Sequence, residues 1–133
     1  MFRRKRLPEE LEPAFASFHL VLDELEPAKA GLTDVVPGSR LPGRPLRDAL
    51  AGFIAHARRA GDLMEGWRRP ELEPVWSACD EGLAAARADA QSMIDDPSEP
   101  VGFGELLGIV EGLLDRLEPF ADAEARFAEL RVR

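Results

Sequence analysis

Residues 46–67 read LRDALAGFIAHARRAGDLMEGW, and apolar side chains recur in this stretch at alternating spacings of three and four residues. Because an α-helix completes one turn in about 3.6 residues, such spacings place the apolar side chains on one stripe of the helix surface. The stripe comprises Leu46, Leu50, Phe53, Ala57, Ala60, Met64 and Trp67. The pattern predicts a long amphipathic helix whose apolar stripe is covered by other helices.

Three further segments repeat this periodicity, and no segment shows the alternation that is typical of a strand. The first contains Leu11, Phe15, Phe18, Leu22 and Leu25, the next Trp76, Cys79, Leu83, Ala86, Ala90 and Met93, and the last Phe103, Leu106, Val110, Leu113, Leu117 and Phe120. Similar helix lengths and near-heptad spacing favour a bundle in which the axes of neighbouring helices cross at about 20°. The sequence therefore predicts an all-α fold, an antiparallel four-helix bundle.

Glycine and proline mark the predicted helix ends. Gly31 and Gly66 stand where the C-terminal caps of the first two helices are expected. The connection that follows, over residues 31–44, is long and rich in proline and glycine, and we expect it to cross the end of the bundle. Pro119 lies inside the fourth pattern, where its missing N–H and its ring predict a kinked C-terminal helix.

The length of the chain, 133 residues, suits one domain with its own core. We expect residues 1–7 to form a disordered basic tail and residues 8–133 to form a single helical-bundle domain. The lone cysteine, Cys79, has no partner within the chain for a disulfide. Together with the lack of an export signal and of a long apolar run, this predicts a soluble cytoplasmic protein without a membrane span. The preference for arginine over lysine, 15 to 2, suggests a GC-rich bacterial genome.

Charge is distributed unevenly along this acidic chain, whose net charge is −8. Residues 1–70 carry 12 basic and 10 acidic side chains, a net charge of +2, whereas residues 71–133 carry 5 and 15, a net charge of −10. An acidic surface repels phosphates, so we expect no nucleic acid to bind the folded body. The basic run at residues 3–6 remains able to contact an acidic surface.

The run Ala55–Ala60, AHARRA, contains one of only two histidines. It resembles the phosphorylatable segment of histidine phosphotransfer domains, four-helix bundles that expose a histidine with a basic residue three positions on and a small residue after it. The resemblance implies that His56 accepts a phosphoryl group and that Arg59 supplies the cation. In the competing structural interpretation, His56 only flanks the core stripe at Phe53 and Ala57.

Two weaker patterns suggest ligand sites. Helical carboxylates at short spacings hold magnesium in all-α nucleotide pyrophosphohydrolases, and a cluster of Asp62, Glu65, Asp80 and Glu81 would suit a bundle that handles small molecules or magnesium nucleotides. Arg40, Arg44 and Arg47 precede or open a helix and are weak candidates for an anion site. Neither histidine lies in the Glu-x-x-His spacing of di-iron bundles, so we expect no transition metal and no cofactor.

A row of glycines in the fourth segment is the main anomaly. Gly104, Gly108 and Gly112 lie nearly opposite the apolar stripe of that segment, and each glycine inside a helix costs about 1 kcal/mol relative to alanine. Close approach of another helix would offset this cost, and Leu107 and Leu114 widen the apolar strip beside the row. We therefore expect a non-catalytic interaction or scaffold module that self-associates through this face, as a homodimer or with a partner protein helix.

Overall fold

A computed structural model describes residues 6–35, 46–96 and 103–131. These residues form five α-helices and, within the same ranges, no β-strand: α1 (Glu12–Thr33), α2 (Leu46–Leu63), α3 (Glu73–Asp95), α4 (Phe103–Asp115) and α5 (Pro119–Glu129). α4 and α5 together take the place of the fourth helix, which confirms the predicted all-α four-helix architecture. Within the described ranges, the helices lack the combination of length and apolarity that crossing a membrane requires.

Prolines open three of the helices. Pro13, Pro74 and Pro119 each lie in the first two positions of a helix, where the absent N–H has no intrahelical partner to lose. The break predicted near Pro119 is a turn at residues 116–118, which ends α4 and lets Pro119 start α5. By contrast, Pro27 lies inside α1, where it offers no N–H to the Asp23 carbonyl.

The side-chain contacts indicate that neighbouring helices are antiparallel, since residue numbers rise along one helix as they fall along the next. The pairs are Phe18–Trp67 and Glu24–His56 between the α1 and α2 segments, Trp76–Met64 and Leu83–Gly61 between α3 and α2, and Asp89–Arg116 and Glu71–Arg126 between the α3 and α5 segments. The first connection runs from Val35 towards Leu46, and its residues 36–45 lie outside the described ranges.

Aromatic rings fill the centre of the bundle. Phe18 is fully buried, and its ring centroid lies 4.9 Å from that of Trp67 and 5.1 Å from that of Phe127. Phe120 stacks on Phe18 at 6.4 Å, and the Trp76 indole donates a hydrogen bond of 2.8 Å to the Met64 carbonyl. Because these rings come from α1, α5 and the two sides of the α2–α3 connection, the cluster joins all four rods.

The two predicted glycine caps have other roles in the structure. Gly31 is buried inside α1, which continues to Thr33, so the prediction of a cap there was wrong. Gly66 lies in a 3-10 turn, Met64–Trp67, and a Cβ at this position would come within 2.6 Å of Ser17 Oγ. Glycine is therefore required at residue 66 by the close approach of α1 and not by a left-handed cap.

The packed domain begins earlier than expected. Residues 1–5 of the predicted tail lie outside the described ranges, but Leu7 is buried in the core and Arg6 beside it is exposed. Leu7 precedes a short 3-10 turn, Glu9–Leu11, whose Leu11 is also buried. Leu7 and Leu11 therefore add buried apolar side chains to the core ahead of α1.

Cys79 is expected to be almost inert towards thiol reagents in the folded protein. Its side chain is fully buried on α3, and burial, with the nearby charges of Asp122 and Asp80, raises the pKa of the thiol to about 12. Since the thiolate is the reactive species, labelling by Ellman's reagent at neutral pH should follow global unfolding and rise sharply in denaturant. Fast labelling of the native protein would contradict the described packing around α3.

Candidate functional site

One polar cluster links α1 to α2. The Oε1 atom of Glu24 lies 2.9 Å from His56 Nδ1 and 2.6 Å from Arg59 Nε. His56 and Glu24 are both about three-quarters buried, whereas more than half of the Arg59 side chain is exposed. His56 and Arg59 share a face because they are three residues apart on α2, and the antiparallel packing brings Glu24 opposite them.

The Nδ1 atom of His56 has two competing partners. Glu24 Oε1 lies at 2.9 Å and Arg59 Nη2 also lies at 2.9 Å. Nδ1 donates to Glu24 when it carries a proton and accepts from Arg59 when it does not, so the two hydrogen bonds belong to different tautomers of the neutral ring. In the state bonded to Glu24, the lone pair of Nε2 is free for chemistry when the ring is neutral.

Hydrogen bonds define the electrostatics of this cluster. The hydrogen bonds from His56 and then from Arg59 hold the pKa of Glu24 below its ordinary value. When the pKa of a carboxyl group is lower in the folded than in the unfolded state, the group stabilises the fold at pH values above its unfolded-state pKa. This contribution is lost as the pH falls through the folded-state pKa. The link between α1 and α2 is therefore expected to weaken only in acid.

Glu24 is the member of this cluster that the sequence did not reveal. The spacing of His56 and Arg59 makes them candidates, and in the structure Arg59 Nη2 lies 2.9 Å from His56 Nδ1. Glu24 lies 32 residues before His56, on the flank of the Val21–Leu25 stripe, where an acidic residue looks like any other solvated carboxylate. Only the antiparallel register of α1 against α2 distinguishes it.

The glycine row forms an open surface on α4. Gly104, Gly108 and Gly112 are exposed, and a Cβ added to any of them would meet no atom within 4 Å. Leu107 and Leu114 on the adjoining flank are half-buried. Nothing among the described residues of this chain uses the close approach that the glycines permit.

The magnesium candidates do not form a metal site within the described residues, and two of the three anion-site candidates lie outside those residues. Asp62, Glu65, Asp80 and Glu81 are all exposed, and the parts of the chain that the structure describes contain no group of three or more acidic, histidine or cysteine side chains placed to hold a metal ion. For the anion site, Arg40 and Arg44 lie outside the described ranges, and the guanidinium of Arg47 donates to the Asp96 carbonyl at 3.4 Å.

Comparisons with protein-family models, with curated proteins and with solved structures give no match to this chain. Function is therefore inferred from geometry and chemistry alone. Two features carry that inference: the open glycine face of α4 and the cluster of Glu24, His56 and Arg59.

Proposed function

We propose that this protein is a non-catalytic interaction module that self-associates through the outer face of α4 as a homodimer. The observation that carries the proposal is the open space over Gly104, Gly108 and Gly112. Three glycines cost the isolated helix about 3 kcal/mol relative to alanine. A second helix whose backbone approaches the row would offset that cost by close packing.

The composition of α4 supports the same proposal. Of its side chains in the described core, only Val110 and Leu113 are fully buried, while Leu106, Ile109 and Leu114 are packed partly against it. Leu107 and Leu114, which flank the glycine row, are half-buried and keep part of their apolar surface accessible to water. Association of two copies would remove part of that surface from water, which contributes about 25 cal/mol for each Å².

The charges of α4 give this association a recognisable salt dependence. In a symmetric antiparallel pair of α4 helices centred on Gly108, the two copies of Glu111 lie on the same edge of the interface, about 9 Å apart along the helix axis. Like charges at this distance repel, and salt screens the repulsion over about 10 Å at 0.1 M. The proposed dimer is therefore expected to tighten as the salt concentration rises.

Replacing Gly108 with leucine is expected to convert the dimer to a monomer, because the new side chain holds the two helix backbones too far apart for van der Waals contact. Gly52→Leu is the matched control, since Gly52 is an exposed glycine of α2 with equally open space around it. Sedimentation velocity at several concentrations measures the mass of each variant. A wild-type protein that stays monomeric, or a Gly108→Leu variant that stays dimeric, contradicts the proposal.

As a second function we propose that His56 accepts a phosphoryl group, because Glu24 holds the ring in a state that suits this role. With Nδ1–H donated to Glu24, the Nε2 lone pair attacks the phosphorus of a phosphodonor. A P–N bond forms, the P–O bond to the leaving group breaks, and the leaving group departs with the electron pair. The guanidinium of Arg59 supports the added negative charge.

Incubation with acetyl phosphate tests this second function. We expect acid-labile, base-stable phosphate on the wild-type protein, none on His56→Ala, and unchanged labelling of His19→Ala, the control at the other histidine. Glu24→Gln should label more slowly, since a neutral amide holds the Nδ1–H tautomer less well. Equal labelling of His56→Ala and wild type would remove the proposal.

A further inference from the structure

A groove of about 420 Å³ lies between α1 and the rod formed by α4 and α5. Leu117 and Phe120 are buried at its base, and Leu22 and Leu114 are half-buried along its sides. The exposed Ala121 leaves the groove open in the middle. This volume is in the range of pockets that hold a small ligand or one large side chain.

The rim of the groove is strongly acidic. It carries Glu26, Asp115, Glu118 and Glu124 against a single cation, Lys29. Lys29 lies 4.0 Å from Glu26, whereas Asp115, Glu118 and Glu124 form no ion pair with any residue that the structure describes. An apolar base below three such carboxylates favours a ligand that combines an apolar group with several positive charges.

We propose that this groove binds the basic segment Met1–Arg6 of the chain. The segment reads MFRRKR, an aromatic side chain at Phe2 followed by four cations. Phe2 would occupy the apolar base, and the cations would lie along the carboxylate rim. No other stretch of the sequence places an aromatic residue beside four consecutive basic residues.

The rim extends towards the start of α1. Phe15 contacts Phe127 and Phe18 contacts Phe120, so α5 runs antiparallel to α1 and Glu124 lies towards the start of α1. Leu7, which directly follows the segment, is buried ahead of α1. One end of the acidic rim therefore lies on the side of the bundle where the segment joins the folded body.

The inference goes beyond the proposed self-association, because the groove lies between α1 and the α4–α5 rod and its occupation does not require a second copy. The two contacts differ in their response to salt. Pairing of the α4 faces opposes like charges and should tighten with salt, whereas binding of a basic segment to an acidic rim should weaken with salt.

A labelled peptide of sequence MFRRKR is the probe, and fluorescence anisotropy measures its binding. The titrated protein is the full chain with Arg3, Arg4, Lys5 and Arg6 changed to serine, so that its own segment does not compete. We expect saturable binding that weakens about 5-fold or more when Glu118→Gln and Glu124→Gln are combined, because each exposed ion pair contributes up to about 1 kcal/mol. A peptide with Phe2→Ser should also bind less tightly.

The control protein combines Asp62→Asn and Glu81→Gln, which removes the same charge from exposed positions on α2 and α3. Peptide affinity should be unchanged in this control and in Gly108→Leu, where the groove remains although the α4 contact is lost. If the proposal of an α4 dimer is wrong but the groove proposal is right, the peptide should still bind. Absence of saturable binding, or equal weakening in the groove variant and its control, overturns the inference.

Discussion

Replacing Phe18 with alanine is expected to lower the free energy of unfolding by about 3–5 kcal/mol. Phe18 has no exposed surface and contacts Trp67 and Phe127, which belong to different rods of the bundle. Truncation removes the buried ring and leaves a cavity that three rods would have to close together. For a domain of this size, such a loss is a large part of the total stability.

Leu20→Ala is the control for Phe18→Ala, because Leu20 lies on the same helix with 54% of its surface exposed. Guanidinium denaturation followed by circular dichroism should show a large fall in midpoint for Phe18→Ala and little change for Leu20→Ala. If the two substitutions lower the free energy of unfolding by the same amount, the ring cluster is not the centre of the core.

Alanine is expected to have opposite effects at two helical glycines. At Gly82 on α3, a Cβ would collide with the carbonyl oxygen of Arg116 in the turn between α4 and α5. A backbone atom cannot move aside as a flexible side chain does, so Gly82→Ala should destabilise the protein by about 1–3 kcal/mol. At Gly52 a Cβ meets open space, and Gly52→Ala should stabilise α2 by up to about 1 kcal/mol.

Thermal unfolding of the two glycine variants tests the packing of α3 against the break in the fourth rod. Both substitutions add one methyl group to a helix and improve its intrinsic propensity equally, so the difference between them isolates the contact with Arg116. Stabilisation by Gly82→Ala would show that the turn at residues 116–118 does not lie against α3.

Periodicity predicted most of the core correctly. In α2 and α3, nearly all the residues of the predicted stripes are buried, from Leu50 to Trp67 and from Trp76 to Ala90. In α1 the stripe was partly wrong: Phe15 and Leu22 are half-buried, whereas Val21 and Ala28 are in the core. This helix has apolar residues on more than one side, so spacing alone could not determine which side faces inward.

Contacts between distant parts of the chain could not be predicted from the sequence. Gly66 and Gly82 are constrained by Ser17 and by Arg116, each on another element, and a glycine in a sequence does not reveal which backbone approaches it. The same holds for Glu24, whose role depends on the register of α1 against α2. Local signals, such as the proline that starts α5, were predictable because their physical cause lies within one turn.

The central claim is that the outer face of α4 is the surface through which two copies meet. Amide hydrogen exchange, measured on the wild-type protein at low and high concentration, tests it most directly because it locates the protected residues. The claim predicts slower exchange at high concentration within residues 104–114 and unchanged exchange in α2 and α3. Exchange in α4 that does not depend on concentration, or protection that appears on another helix instead, would contradict it.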